Sequence, residues 1–367
     1  MGSRARVGFV FLLVAGLIAP AVPARASVNP GSWTNMLPTL SPSPRYNTAM
    51  AYDSESDRLI LFGGFAIEGV AGDTWAYDLA ANTWTNMAPR GPNPSARSGQ
   101  AMAYDSGSDR ILMYGGDGSS DVWAYDLNSN TWTQKKDAPF PALFFSAMAY
   151  DAVSNRTLLF GGYGGFGVGN VNDLWSYDFG TDTWTLKSLS QKPPARHYHS
   201  MAYSATAHRT VLFGGEFLND TWSYDSANES WTKLDTVGAP DVNYAYSGSF
   251  AYDTSADVFI FYSNGAWAFD MSTNTWGYLA EHPPYPDVSI FAAFSYDSRS
   301  DRFVLFGGVA RSSSGSRNGT WAYDLRPAPG GSGLSSWIVP AAALSAATAA
   351  VLTFALVRRR KKRRGQS

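Results

Sequence analysis

The sequence predicts an all-β fold: six four-stranded units arranged as a six-bladed β-propeller closed by the N-terminal strand, followed by one C-terminal transmembrane helix. Three observations carry this expectation. The first is a hairpin written five times, as WAYDLAANTW from Trp75 to Trp84 and in close copies at 123–132, 175–184, 222–231 and 267–276. In every copy the tryptophans stand nine residues apart, with Tyr or Phe and then Asp after the first. Turn formers such as Asp78 and Asn82 sit between aromatic and β-branched runs, the signature of two antiparallel strands joined tightly. The second is the period of about 49 residues with four strands per unit, because one such unit cannot bury its faces without neighbours. The third is a split copy. Trp321 opens a sixth WAYDL, but nine residues later stands Gly330, while Gly31 to Met36 (GSWTNM) nearly duplicates Asn82 to Met87 (NTWTNM) at the other end of the chain. The N-terminal strand is therefore expected to complete the last hairpin and close the ring.

Each unit opens on a strand in which small and large residues alternate. These are Met50-Ala51-Tyr52, Met102-Ala103-Tyr104, Met148-Ala149-Tyr150, Met201-Ala202-Tyr203, Phe250-Ala251-Tyr252 and Phe294-Ser295-Tyr296. Alternation puts Ala on one face and the large residues on the other. A Ser/Asp-rich turn follows and ends in Arg58, Arg110, Arg156, Arg209 or Arg302, with Val258 in the fifth unit. These arginines are expected to pair with the Asp that opens or closes the same turn, as Asp53 or Asp57 with Arg58. Next comes a continuous apolar strand ending in Gly-Gly at 63–64, 115–116, 161–162, 214–215 and 307–308. Positive φ or close approach explains a paired glycine there. No helix start or lysine follows as a phosphate loop would require. A loop of variable length then returns to the Trp hairpin, and the long loops 65–73, 163–173 and 309–319 are expected to stand as walls around one face. In the fifth unit Tyr262-Ser263-Asn264-Gly265 replaces Gly-Gly and leaves almost no loop. The twelve tryptophans of the repeats are expected to pack between blades with their indole N–H groups on backbone.

Strand, apolar run, Gly-Gly, variable loop and paired aromatic residues at fixed spacing resemble the kelch repeat, over about residues 31 to 325. The resemblance implies a six-bladed propeller with an axial channel, whose inter-blade connections and post-Gly-Gly loops crowd one partner-binding face. Kelch-like copper-radical oxidases need a cysteine cross-linked to tyrosine, and this chain has no cysteine. Another kelch-like enzyme class acts on sialic acids through arginines and acids in the channel, for which Arg45, Arg97, Arg196 and Glu216 would be the matching residues.

Composition and termini bound the setting. Absence of cysteine also removes disulfides and thiolate metal sites. Residues 1–26 read as a secretory signal peptide, with Arg4 and Arg6, an apolar run and Ala24-Arg25-Ala26. The propeller is expected over 27–326, a Pro/Gly/Ser linker over 327–334, an uncharged transmembrane helix over 335–357 and a basic cytoplasmic tail over 358–367. A tripartite sorting signal trimmed by a membrane protease fits the same tail. Of 28 Lys and Arg, three lie in the signal and seven in the tail, so 18 face all 30 Asp and Glu, a net of −12. An acidic exterior domain argues against a nucleic-acid partner. Asn155, Asn219, Asn228 and Asn318 begin glycosylation sequons.

Half-repeated residues are the candidate ligand contacts. Arg45, Arg97 and Arg196 occur in three units only, five positions before the first-strand Met. Two readings stay open: a bidentate clamp on a carboxylate or phosphate at the channel mouth, or buried arginines holding backbone carbonyls. His197 and His199, two apart, would share a strand face and could hold a metal only with a third ligand such as Glu216. Tyr244, Tyr246, Phe144, Phe145 and Tyr285 fall in inter-blade connections and suit an aromatic rim. No catalytic residue, cofactor or metal site is assigned. The leading expectation is a single-pass cell-surface binding module, propeller outside, that presents its loop face to an extracellular protein or glycan. The alternatives are a carbohydrate-active enzyme or sugar-binding protein using the arginine cluster, and a structural envelope component.

Overall fold

Every second strand is apolar on both of its faces, and that decides the architecture. In Arg58–Phe62 the residues Leu59 and Leu61 join one hydrophobic cluster, while Ile60 and Phe62 join another. A strand buried twice must lie between two neighbours, at about 1.5–3 kcal/mol for each large side chain taken from water. The computed structural model describes residues 31–241, 249–263, 265–279, 284–287, 290–310 and 315–325. The expected signal peptide, linker, membrane span and basic tail lie outside these residues, as do Tyr244 and Tyr246. Among the described residues no helix is long and apolar enough to cross a membrane.

The described residues form six four-stranded antiparallel sheets, together with a small three-stranded one. Their innermost strands are Ala49–Asp53, Ala101–Asp105, Ala147–Asp151, Ser200–Ser204, Ser249–Asp253 and Ala293–Asp297. These strands touch in cyclic order, and the sixth lies against the first. The arrangement is consistent with a six-bladed β-propeller. Ser32–Asn35 pairs with Thr320–Asp324 in register Trp33 to Tyr323, as the split repeat requires. The Gly31 N–H donates to the Tyr323 hydroxyl at 3.1 Å. The core is six clusters of buried residues, each shared by two adjacent blades, with none confined to one sheet.

Apart from a 3.7 Å contact of Arg110 with Asp109, which closes its turn as expected, the turn arginines pair differently from expectation. Arg58 Nη2 lies 2.7 Å from Asp78 Oδ2, and Arg110, Arg156 and Arg209 meet Asp126, Asp178 and Asp225 at 2.8–2.9 Å. Leu59 is opposite Tyr77, so Arg58, one residue before Leu59, faces Asp78, one residue after Tyr77, across the antiparallel ladder. The Asp that opens the turn is taken by backbone instead, since Asp53 Oδ1 accepts from Glu55 and Ser56 N–H. Both glycines of each described pair have positive φ, from 62° to 116°. At Gly63 a Cβ would lie 2.4 Å from the Arg97 carbonyl, so the connection into the next blade passes directly over it. In the fifth blade the strands Val258–Tyr262 and Ala266–Asp270 lie close in sequence, with Ser263 N–H on the Gly265 carbonyl at 3.0 Å.

Candidate binding face

The inter-blade connections and the post-Gly-Gly loops emerge at the same end of the blades. In each described connection the residue two places before the first strand's opening Ala or Ser is in the left-handed region: Asn47, Gly99, Phe145, Tyr198 and Phe291, with φ between 53° and 69°. Their backbones are linked in sequence around the mouth. Gly99 N–H donates to the Asn47 carbonyl at 3.0 Å, Phe145 to Gly99 at 2.8 Å, Tyr198 to Phe145 at 3.1 Å and Asn47 to Phe291 at 3.0 Å. Those bonds offset the cost of positive φ at non-glycine residues. Gly99 is required for a second reason, because a Cβ there would meet the Phe145 ring at 2.5 Å. Phe145 stacks on Tyr198 with centroids 4.1 Å apart, and Tyr198 lies 5.2 Å from Phe291. Of the residues expected to form an aromatic rim, Phe145 belongs to this group, Phe144 lies 6.1 Å from it and Tyr285 is exposed, while Tyr198 and Phe291 join it unexpected. Beside these rings lies a cavity of about 180 Å³ lined by Asn47, Gln100, Ser146, His199 and Ser249.

The two histidines do not share a face. Tyr198, at φ 58°, interrupts the extended backbone between them and turns their side chains apart. His197 Nδ1 stands 3.2 Å from Glu216 Oε2, and its ring lies among Phe145, Tyr163 and Tyr198. Glu216 also accepts from the Asn170 amide. Burial lowers the His197 pKa, with Glu216 opposing the shift. His199 is fully enclosed and donates from Nε2 to the Phe160 carbonyl at 3.0 Å. Burial first, and the Arg196 charge second, push it down to about 3, so it is neutral at physiological pH. Among the described residues no group of three His, Asp or Glu is placed to hold a metal.

Arg45, Arg97 and Arg196 take the buried arrangement. They are at most 2 % exposed, and each is bound within its own blade junction. Arg45 uses all five N–H donors: Nε to the Ser43 carbonyl, Nη1 to Gly63 O and Asp73 Oδ1, Nη2 to Ser43 Oγ and Asp73 Oδ2. Arg97 repeats this with Ser95, Gly115 and Asp121. Arg196 repeats it with Pro194, Gly214 and Asp220. The same carboxylates accept from Trp75, Trp123 and Trp222 Nε1 at 2.6–2.7 Å. Burial alone would raise these aspartates, but the arginine and indole hydrogen bonds outweigh it and hold all three below the usual range. No donor of Arg45 or Arg97 remains for a ligand. Of Arg45, Arg97, Arg196, His199 and Glu216, only His199 lines the cavity beside the aromatic rings, and each arginine is bound within its own junction. A sequence signal marked this clamp: the Asp two residues before the first Trp accompanies the Arg in blades one, two and four, and both are missing from blades five and six.

The loops themselves carry exposed apolar side chains. Phe65, Ile67, Phe166 and Phe217 all follow Gly-Gly pairs, and Ile67 is 82 % exposed. Phe65–Ala66 is held upright by pairing with Arg45–Tyr46 and Gly69–Val70. In blade three the two central strands, Arg156–Tyr163 and Asn170–Asp178, extend beyond the sheet as a bulged hairpin. The opposite mouth is ringed by Tyr52, Tyr104, Tyr150, Tyr203, Tyr252 and Tyr296. Each of their hydroxyls engages the residue five positions on, such as Asp57 at 2.9 Å from Tyr52.

A family model, the KLHDC2/KLHL20/DRC7 Kelch-repeats domain, matches residues 25–134 and 68–261, more than half of the chain. The chain belongs to the kelch-repeat family. Dynein regulatory complex subunit 7 of Chlamydomonas reinhardtii is 36 % identical over 76 residues, which is 20 % of this chain. The match spans 6 % of that relative's own length, so the likeness is one of kelch repeats. Kelch repeats generally mediate protein–protein interaction and are typically non-enzymatic. Of this kelch chain's sequons, Asn219, Asn228 and Asn318 already donate their amides, to Pro240 O, Asp225 Oδ2 and Ser41 Oγ.

Proposed function

We propose that this kelch propeller is a cell-surface interaction module that presents its loop-bearing face to an extracellular protein while the C-terminal segment tethers it. The observation that carries the reading is the set of exposed apolar side chains on that face. Phe65, Ile67, Phe166 and Phe217 stand on loops that differ from blade to blade, above a scaffold whose three buried arginines are each paired with an aspartate. Apolar anchors surrounded by polar groups are what a protein partner buries at the centre of an interface. The orientation rests on the apolar 335–357 segment and the basic run after it.

The test places a photo-crosslinking residue at Ile67 or Phe166 in the full chain in intact cells, with Val153 at the opposite end of the blades as control. Crosslinks to one extracellular protein from the loop positions alone support the proposal. Equal crosslinking from Val153, or protection of the propeller from protease added outside the cells, overturns it.

A further inference from the structure

The first tryptophan is buried in four blades, where Trp75, Trp123, Trp222 and Trp267 are at most 9 % exposed; Trp175 of blade three is half-buried, with Phe140 stacked on it at 4.4 Å between centroids. In blades one, two and four an aspartate two residues earlier also takes the indole N–H. Blade six departs on both counts. Gly319 stands where that aspartate would be, and Trp321 is half-buried, packed against the core shared by blades five and six. Beside it is a groove of about 370 Å³, within the range of small-ligand sites.

The lining specifies the chemistry. Trp321 offers aromatic surface, and Asn35, directly opposite in the ladder, presents its amide on the same face. Asn318 adds a second amide, and Leu37 an apolar wall at 77 % exposure. Arg317 Nη2 donates to Asp287 Oδ2 at 2.9 Å, so the two charges of the groove neutralise each other and still offer polar atoms. An uncharged site that combines an indole, two amides and an internally balanced ion pair matches a molecule with one apolar face and a hydroxyl-rich edge. We infer that this groove binds a neutral saccharide, one ring packed on Trp321 and its hydroxyls on Asn35, Asn318 and the Arg317–Asp287 pair. The site lies on blade six and is independent of the partner assigned to the loop face.

The experiment titrates the full chain, purified in detergent from a host that does not N-glycosylate, with glucose, galactose, N-acetylglucosamine, maltose and cellobiose. Binding is read by calorimetry and by saturation-transfer NMR. Binding of at least one sugar in the millimolar range is expected, weakened about tenfold or more by Trp321→Ala. Gly319→Asp is the second variant: a Cβ there would lie 2.8 Å from Trp321 Nε1, so the new side chain takes the edge of the indole and fills the groove; it abolishes binding, and the thermal transition is recorded beside it. Failure of every sugar to bind overturns the inference, as does binding undiminished in Gly319→Asp. A proline-rich peptide that binds this groove while the sugars do not also overturns it.

Discussion

Trp132 Nε1 donates to Thr74 Oγ1 of the preceding blade at 3.0 Å. The same bond joins Trp84 to Thr320 at 2.9 Å and Trp276 to Thr221 at 3.1 Å. In each case the second tryptophan of one blade reaches the residue just before the first tryptophan of its neighbour. These indoles therefore bond to side chains where backbone acceptors were expected. Where that residue is Val122 or Leu174, the Trp184 and Trp231 N–H groups are buried without an acceptor.

Val122→Thr should supply the missing acceptor to Trp184 and raise stability by about 1 kcal/mol, while Thr74→Val should lose about 1–3 kcal/mol by stranding the Trp132 N–H. Urea denaturation of the two variants measures both. A destabilised Val122→Thr would show that the hydroxyl finds no indole.

Breaking one arginine clamp should be costly. Arg97→Met leaves Asp121 buried beside Trp123 without its cation, at about 3–5 kcal/mol. Arg97→Lys should restore little, because an ammonium cannot reproduce the five-donor fork. Since the Asp121 pKa is lowered on folding, its contribution is complete above the unfolded carboxylate pKa and fades as pH falls through the folded value. Denaturation of wild type and Asp121→Asn across acidic pH should show their difference narrowing only below the ordinary carboxylate range.

His199 makes the fold sensitive to mild acid. Its pKa is lowered from 6.5 to about 3, so below pH 6.5 the unfolded chain takes up a proton that the folded chain refuses. The stability it contributes is whole above pH 6.5 and is lost as pH falls toward 3. His199→Gln, which keeps a donor for the Phe160 carbonyl, should flatten the stability profile in that window. An unchanged profile would place the acid sensitivity elsewhere.

Closure of the ring depends on Trp33, which packs on Tyr323 at 4.7 Å and on Tyr262 of blade five at 5.1 Å. Trp33→Ala should cost about 3–5 kcal/mol. The loss should appear as greater hydrogen exchange in blade six than in blade three.

The sequence by itself determined the strands, the number of blades, the closing pair of Trp33 with Trp321's strand, and the loops that rise from one face. Each follows from local alternation, turn residues and a constant spacing, which a single chain displays directly. Partner choice was decided only by the tertiary structure. Arg97 and Asp121 are 24 residues apart and meet only when the strands of one repeat are folded together, and Trp132 and Thr74 are 58 apart and meet only when blades are laid side by side. Tyr198 shows the same division at the level of one residue. Its place between two histidines is plain in the sequence, but the left-handed turn that separates them comes from the backbone belt around the channel mouth, to which residues of other blades contribute.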